Sequence, residues 1–261
     1  MTPAEPNHVK IKTADFVFLE VPDTIPAGVT TFRVENGGAF PHNAAIGRLT
    51  GDHTYAELIT YVMNNESQFP DWFVFMGGPS APLSGDTSES TLQVFPGNHV
   101  LICGVPVPAG VPHFMKGMTR PLKVVESNGR KAKTPEADIK MVLDDYSFKM
   151  TPEITAGTRT IEVVNIASQP HEFILVRLEE GKSAGDMLNW LVTVIQSDAA
   201  ILPQAPGEFL NGVSAMGKGI ANFVTVDFSP GEYALICPIL DQGDGRPHFM
   251  HGMVHQFTVN P

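Results

Sequence analysis

The sequence predicts an all-β protein built from two tandem Greek-key β-sandwiches, each with a short inserted helix. Three observations carry that expectation. Gly (24) and Pro (22) are frequent among the 261 residues, so turns are close together, which suits many short strands. The runs between them are strand-like, as in TTFRVEN (30–36), where Phe32 and Val34 share one face. The chain also repeats itself: PGNHVLIC (96–103) returns as PGEYALIC (230–237), and Phe32–Asn36 returns as Ile161–Asn165.

In order, residues 1–8 read as a loose tail and 9–20 as weak strand. Residues 22–29 read as a turn and 30–36 as a clear strand. Thr54 opens a helix with a capping pair at Glu57 and an apolar stripe of Leu58, Ile59, Val62 and Met63. Residues 66–90 are loop-rich, followed by strands at 91–95, 99–103 and 122–125. Residues 127–137 (SNGRKAKTPEA) have no apolar period and read as a linker between a first domain, 1–126, and a second, 138–261. The second helix is capped by Ser183 and Asp186, with Met187, Leu188, Leu191, Val192 and Ile195 as its stripe. FLNGVSAMGKG (209–219) parallels FVFMGGPSAPLSG (73–85).

Composition sets limits. A formal net charge of −11 argues against nucleic acid and anionic membrane surfaces and permits a basic partner. No apolar run is long enough for a membrane span. The N-terminus is polar from Met1, as in a secreted chain without its leader. No Ser/His/Asp order, phosphate loop or dinucleotide motif offers another chemistry.

The chemistry-bearing residues fall twice in one order: His42, Cys103, His113 and Met118, then His171, Cys237, His248 and Met253. A lone His in a β-protein is usually structural and a Met in a loop usually packs. The ordered set, occurring twice, is the signal. Two His, one Cys and a weak axial Met form the blue-copper electron-transfer donor set. Two Cys at equivalent places suggest that each serves its own domain rather than a shared disulfide. Met115 and Met250 are expected to pack beside the sites, and Phe114 and Phe249 to shield the imidazoles. His251 is read as a surface residue, with weak binding of a second metal left open. His8, His53, His99 and His255 are read as structural or surface residues.

This arrangement resembles the cupredoxin family, the plastocyanin- and azurin-like blue copper proteins, in tandem over nearly the whole chain. Four residues separate each second His from its Met, as in plastocyanin-like sites and the type 1 site of copper nitrite reductases, and the Pro-Gly-x-Tyr-x-x-x-Cys strand at 230–237 is characteristic. The Cys-to-His loops, of nine and ten residues, are longer than in the small electron carriers. Asn43 follows the first His, as is common in the family, but its counterpart is Glu172.

The resemblance implies one type 1 copper per domain, two in total, in a periplasmic or secreted electron carrier. Its partner would be a redox protein, possibly basic, such as a c-type cytochrome; a homo-oligomer is open. Each Cys is flanked by Ile102 and Gly104, or Ile236 and Pro238, and no His-x-His pair occurs, so the ligands that wire a catalytic copper are missing. The alternatives are a carrier or buffer of Cu(I), using Met115, Met118, Met250 and Met253; a copper oxidase or reductase completed at an oligomer interface; and a double sandwich whose sites stay empty. The two sites should differ, the carboxylates near the second lowering its potential.

Overall fold

The computed structural model describes residues 4–64, 68–107, 110–129, 131–196 and 203–261. Residues 1–3 of the expected tail lie outside the described residues, and from Asn7 the chain is already strand. The first domain runs β1 (Asn7–Ala14), β2 (Val17–Glu20), β3 (Thr24–Pro26), β4 (Gly28–Asn36), β5 (Ala45–Leu49), α1 (Tyr55–Asn64), β6 (Phe73–Phe75), β7 (Thr87–Val94), β8 (Gly97–Ile102) and β9 (Thr119–Val125). The second runs β10 (Ile139–Asp144), β11 (Ser147–Thr151), β12 (Gly157–Asn165), β13 (His171–Leu178), α2 (Ala184–Gln196), β14 (Gly207–Phe209), β15 (Val213–Met216), β16 (Ala221–Phe228), β17 (Gly231–Ile236) and β18 (Val254–Val259). Residues 127–129 and 131–137 between them carry no strand or helix.

Each domain is two sheets face to face. In the first, β2-β1-β4-β7 packs on β3-β9-β8-β5-β6; in the second, β11-β10-β12-β16 packs on β14-β13-β17-β18, with β15 paired to β13. Alternation decides which face turns inward: in β1, Val9 and Ile11 are buried while Lys10 is exposed. They meet Phe32, Val34 and Leu92 from their own sheet and Ile46, Leu101 and Leu122 from the other. Phe173, Leu175, Tyr233 and Leu235 hold the equivalent core of the second domain.

The Cys-bearing strands do not alternate. Val100–Ile102 and Tyr233–Ile236 are buried throughout because a helix covers their second face. Leu58 and Val62 of α1 pack on Ala45, Val100 and Ile102, and Met187 and Trp190 of α2 on Val176, Ala234 and Ile236. Both helices start where the caps predicted. Thr54 N and Oγ1 donate to Glu57 Oε2, and Ser183 N and Oγ donate to Asp186 Oδ2. Met63, placed on the α1 stripe from sequence, is exposed; the first stripe narrows to Leu58 and Val62, with Ile59 half-buried. On α2, Leu188, Leu191 and Val192 are half-buried, and the burial of Ile195 lies outside the described residues.

Two further expectations need correction. Residues 22–29 are not only a turn: Thr24–Pro26 forms an edge strand parallel to β9. The loop-rich stretch 66–90 holds β6 and the start of β7. Beyond what the sequence indicated, the two sandwiches share a sheet: β16 pairs with β7 through Asn222↔Leu92 and Phe223↔Thr91, making one eight-stranded sheet. The seam continues at Gly77 N, which donates to Ala215 O (2.9 Å), and at Ser214 N, which donates to Gly78 O (2.9 Å). Fully buried Asn222 donates to Met76 O (2.9 Å) and accepts from Gly78 N (3.0 Å). Gly77 has φ 87, and a Cβ there would lie 2.4 Å from the Asn222 amide, so both backbone and space demand glycine.

Candidate metal centre

The strand order brings the first His and the Cys together on neighbouring strands. Cys103 follows β8 and His42 precedes β5, its antiparallel partner; Cys237 follows β17 and His171 begins β13. The second His opens a single 3-10 turn, His113–Lys116 or His248–His251. Each turn ends at a left-handed glycine, Gly117 or Gly252, which sends the chain back under the site as the Met. The return is knitted identically in both domains. Phe114 N donates to Cys103 O (2.9 Å), Met118 N to His113 O (3.1 Å) and Cys103 N to Met118 O (3.1 Å). Phe249, Met253 and Cys237 repeat these bonds at 3.0, 3.0 and 3.2 Å.

Three donors converge in each domain, all fully buried. In the first, His42 Nδ1 and His113 Nδ1 are 3.0 Å apart, and Cys103 Sγ lies 3.9 and 3.5 Å from them. In the second, His171 Nδ1 and His248 Nδ1 are 2.9 Å apart, with Cys237 Sγ at 3.7 and 3.4 Å. A point equidistant from the three atoms lies about 2 Å from each, the bond length of N/S metal sites. Met118 and Met253 are fully buried and tied by backbone to the Cys and second His.

The electrostatics fit a cation. Burial lowers the pKa of all four imidazoles, to about 4 for His113 and His248, leaving their lone pairs free. Burial also pushes the Cys103 thiol up to about 12 and raises that of Cys237, so each needs a cation to become a thiolate. The first His is oriented from behind. His42 Nε2 faces Asp15 Oδ1 at 3.1 Å and His171 Nε2 faces Asp145 Oδ1 at 3.3 Å, which places the ring proton on Nε2 and turns Nδ1 inward. Asn36 and Asn165, buried six residues before these His, bind the intervening loops through Phe40 O (2.8 Å) and Gln169 O (2.9 Å).

The second His differs between domains. His113 Nε2 has no hydrogen-bond partner and sits under Phe16, ring centroids 4.9 Å apart and edge-on. His248 Nε2 lies 3.8 Å from Asp241 Oδ2, which accepts from Tyr146 Oη (2.5 Å) and Gln169 Nε2 (2.8 Å). Those hydrogen bonds hold the Asp241 carboxyl well below the ordinary range. Asn43 Oδ1 accepts from Gly104 N (2.9 Å) and braces the first ligand loop; its counterpart Glu172 instead brings its backbone N–H to Cys237 Sγ (3.2 Å). Burial pushes the Glu172 carboxyl up to about 7.

Other sequence expectations resolve as follows. Phe114 packs with Phe69 and Phe249 joins the α2 cluster. The ring contacts with the second imidazoles come from Phe16, Phe40 and Tyr146. Met115 packs towards α1, while Met250 is 49% exposed. His251 Nε2 faces Asp244 Oδ1 (3.2 Å), near Asp241. Asp241 Oδ1 already accepts from Gly243 N and Asp244 N, which makes this trio a hydrogen-bonded loop brace. His99, on the strand place of Tyr233, is buried, and His53 stacks on Trp72. Asp15 and Asp145 escaped the sequence reading, although their matching places before Phe16 and Tyr146 were a signal in the repeat.

No family model and no curated protein matches the sequence. Similar solved structures include dithionite-reduced auracyanin from Roseiflexus castenholzii, at 20% identity over 47% of this chain and 99% of that one, TM-score 0.34. Auracyanin A from Chloroflexus aurantiacus, a "blue" copper protein, is 18% identical over 46% and 100%, TM-score 0.32. A multicopper oxidase is 14% identical over 97% and 88%, TM-score 0.28. Likeness at this level transfers no activity. By its strand order and its repeat the chain is built as two tandem cupredoxin-like β-sandwiches, each carrying one His, Cys, His cluster.

Proposed function

We propose that the chain is a two-site electron carrier, with one type 1 copper in each domain held by His42, Cys103 and His113 and by His171, Cys237 and His248. The carrying observation is the pair of buried two-nitrogen, one-sulfur triangles, a donor set that suits copper. Met118 and Met253 are the proposed weak axial ligands. When bound, the metal would supply a one-electron Cu(II)/Cu(I) couple. The protein's part is to hold the imidazoles neutral by burial, to orient the first of each pair through Asp15 or Asp145, to exclude water, and to keep the ligand loop fixed by its backbone bonds, so little rearranges when charge arrives.

Neither Cys has a His neighbour to lead to a catalytic copper, which favours carriage over oxidase or reductase chemistry. The Cu(I)-carrier reading loses support because Met115 and Met250 are not gathered with Met118 and Met253. The acidic surface suits a basic redox partner such as a c-type cytochrome, met outside the cytoplasm. Among the described residues no helix is long and apolar enough to cross a membrane. Ascorbate reduction followed by reoxidation tests the reading. A visible band that bleaches and returns over repeated cycles is expected; tight copper binding without a reversible couple would contradict it.

A further inference from the structure

Phe16 (φ 62) and Tyr146 (φ 60) are the non-glycine residues of positive φ among the described residues. They sit at equivalent places, in the tight turns between β1 and β2 and between β10 and β11. Bulky side chains avoid this conformation, and its recurrence in both repeats marks a position held for a purpose. In each domain the purpose is visible. The Phe16 ring stands edge-on to His113 at 4.9 Å, and the Tyr146 ring to His248 at 5.6 Å. Both imidazoles are 0% exposed, and neither Nε2 has a hydrogen-bond partner. The two aromatic residues are themselves half-buried, so each ring stands between an imidazole and solvent. Phe40 flanks Phe16 at 6.0 Å, and on the other side His251 lies against Tyr146 at 4.9 Å.

We infer that Phe16 and Tyr146 are caps that close the distal imidazole of each site to solvent and small reagents. Electrons must then pass through or around these rings, rather than across an exposed histidine edge. The second statement rests on the copper reading; the first does not. The cap of the first domain is wholly apolar, whereas Tyr146 is pinned by its hydroxyl to Asp241.

The test has two arms. In the metal-free protein, diethylpyrocarbonate labelling read by peptide mass spectrometry should modify the partly exposed His53 and spare His113 and His248. Phe16→Asn should open His113 alone and Tyr146→Asn should open His248 alone, each labelled at least roughly tenfold faster because burial protects through rare local opening. Asn suits the left-handed backbone, and Phe16→Gly and Tyr146→Gly provide second variants should the first not fold. Tyr146→Phe should keep its His protected. Unchanged labelling in folded Asn or Gly variants would overturn the caps, whatever the metal result. In the copper-loaded Cys103→Ser background, Tyr146→Asn should accelerate oxidation by hexacyanoferrate(III) beyond what its own measured potential accounts for, while Tyr146→Phe, which keeps the ring, should change the rate only as its potential does. An unaltered rate in Tyr146→Asn would overturn the electron-routing claim, and absence of any redox couple would refute the copper reading while leaving the labelling result standing.

Discussion

Asp15 and Asp145 contribute through position rather than ligation. Each carboxylate receives the Nε2 proton of the first His and so fixes which nitrogen faces the metal. Asp15→Ala and Asp145→Ala should each weaken copper binding at their own site by roughly 10–100-fold, measured by competition titration, with the other site unchanged. Asp241 separates the two sites electrically. Its carboxyl, held well below the ordinary range, lies 3.8 Å from His248 Nε2, where the rings of Phe16 and Phe40 stand beside His113. The second site, measured alone in Cys103→Ser, should therefore have a lower reduction potential than the first in Cys237→Ser. Asp241→Asn should raise the second potential; an equal or opposite shift on potentiometry would refute the electrostatic cause. The ligands themselves were legible because Cys, His and Met lie on one continuous loop, and the repeat supplied the missing His. The carboxylate and the aromatic cap were not, since they reach the site from a turn 27 and 97 residues away from His42 and His113 and only strand pairing joins them.

At the scale of elements, helix starts were legible because a cap is local: Thr54 and Glu57 meet three residues apart. The strand Thr24–Pro26 was not, because Pro22 and Pro26 read as turn residues, yet an edge strand accepts Pro where its N–H would face away from the ladder. Strand β8 carries His99, whose Nε2 lacks a partner and whose pKa burial lowers to about 4. An ordinary imidazole titrates at about 6.5. Between these values the unfolded chain binds a proton that the folded chain refuses, so this group costs stability as pH falls through that window. At higher pH it costs nothing. His99→Tyr, the residue the second domain uses at Tyr233, should remove the penalty. Denaturant unfolding at about pH 7 and about pH 4.5 should show a pH-dependent loss smaller by roughly 2 kcal/mol in the variant. An identical loss would mean that His99 does not titrate on unfolding.

For the whole molecule, the repeat register revealed two sandwiches but not how they join. A repeat describes what two units share, whereas a seam uses what they do not. Asn222 is fully buried where β16 meets β7, and the loop after β6 fits over it because Gly77 has no side chain. Asn222→Ala leaves the Gly78 N–H and the Met76 carbonyl without their partner. It should cost on the order of 2–4 kcal/mol in unfolding free energy, with copper spectra unaltered because no ligand moves. A neutral effect would mean that the seam does not stabilise the chain.

The most direct measurement is an optical titration of the metal-free protein with copper. A strong visible band from the Cys-to-copper bond should grow until two equivalents are bound. Cys103→Ser and Cys237→Ser should each keep a band that saturates at one, and the double variant should show none. Copper uptake without that band, or a band that survives loss of both cysteines, would contradict the assignment of the two buried triangles as blue copper sites.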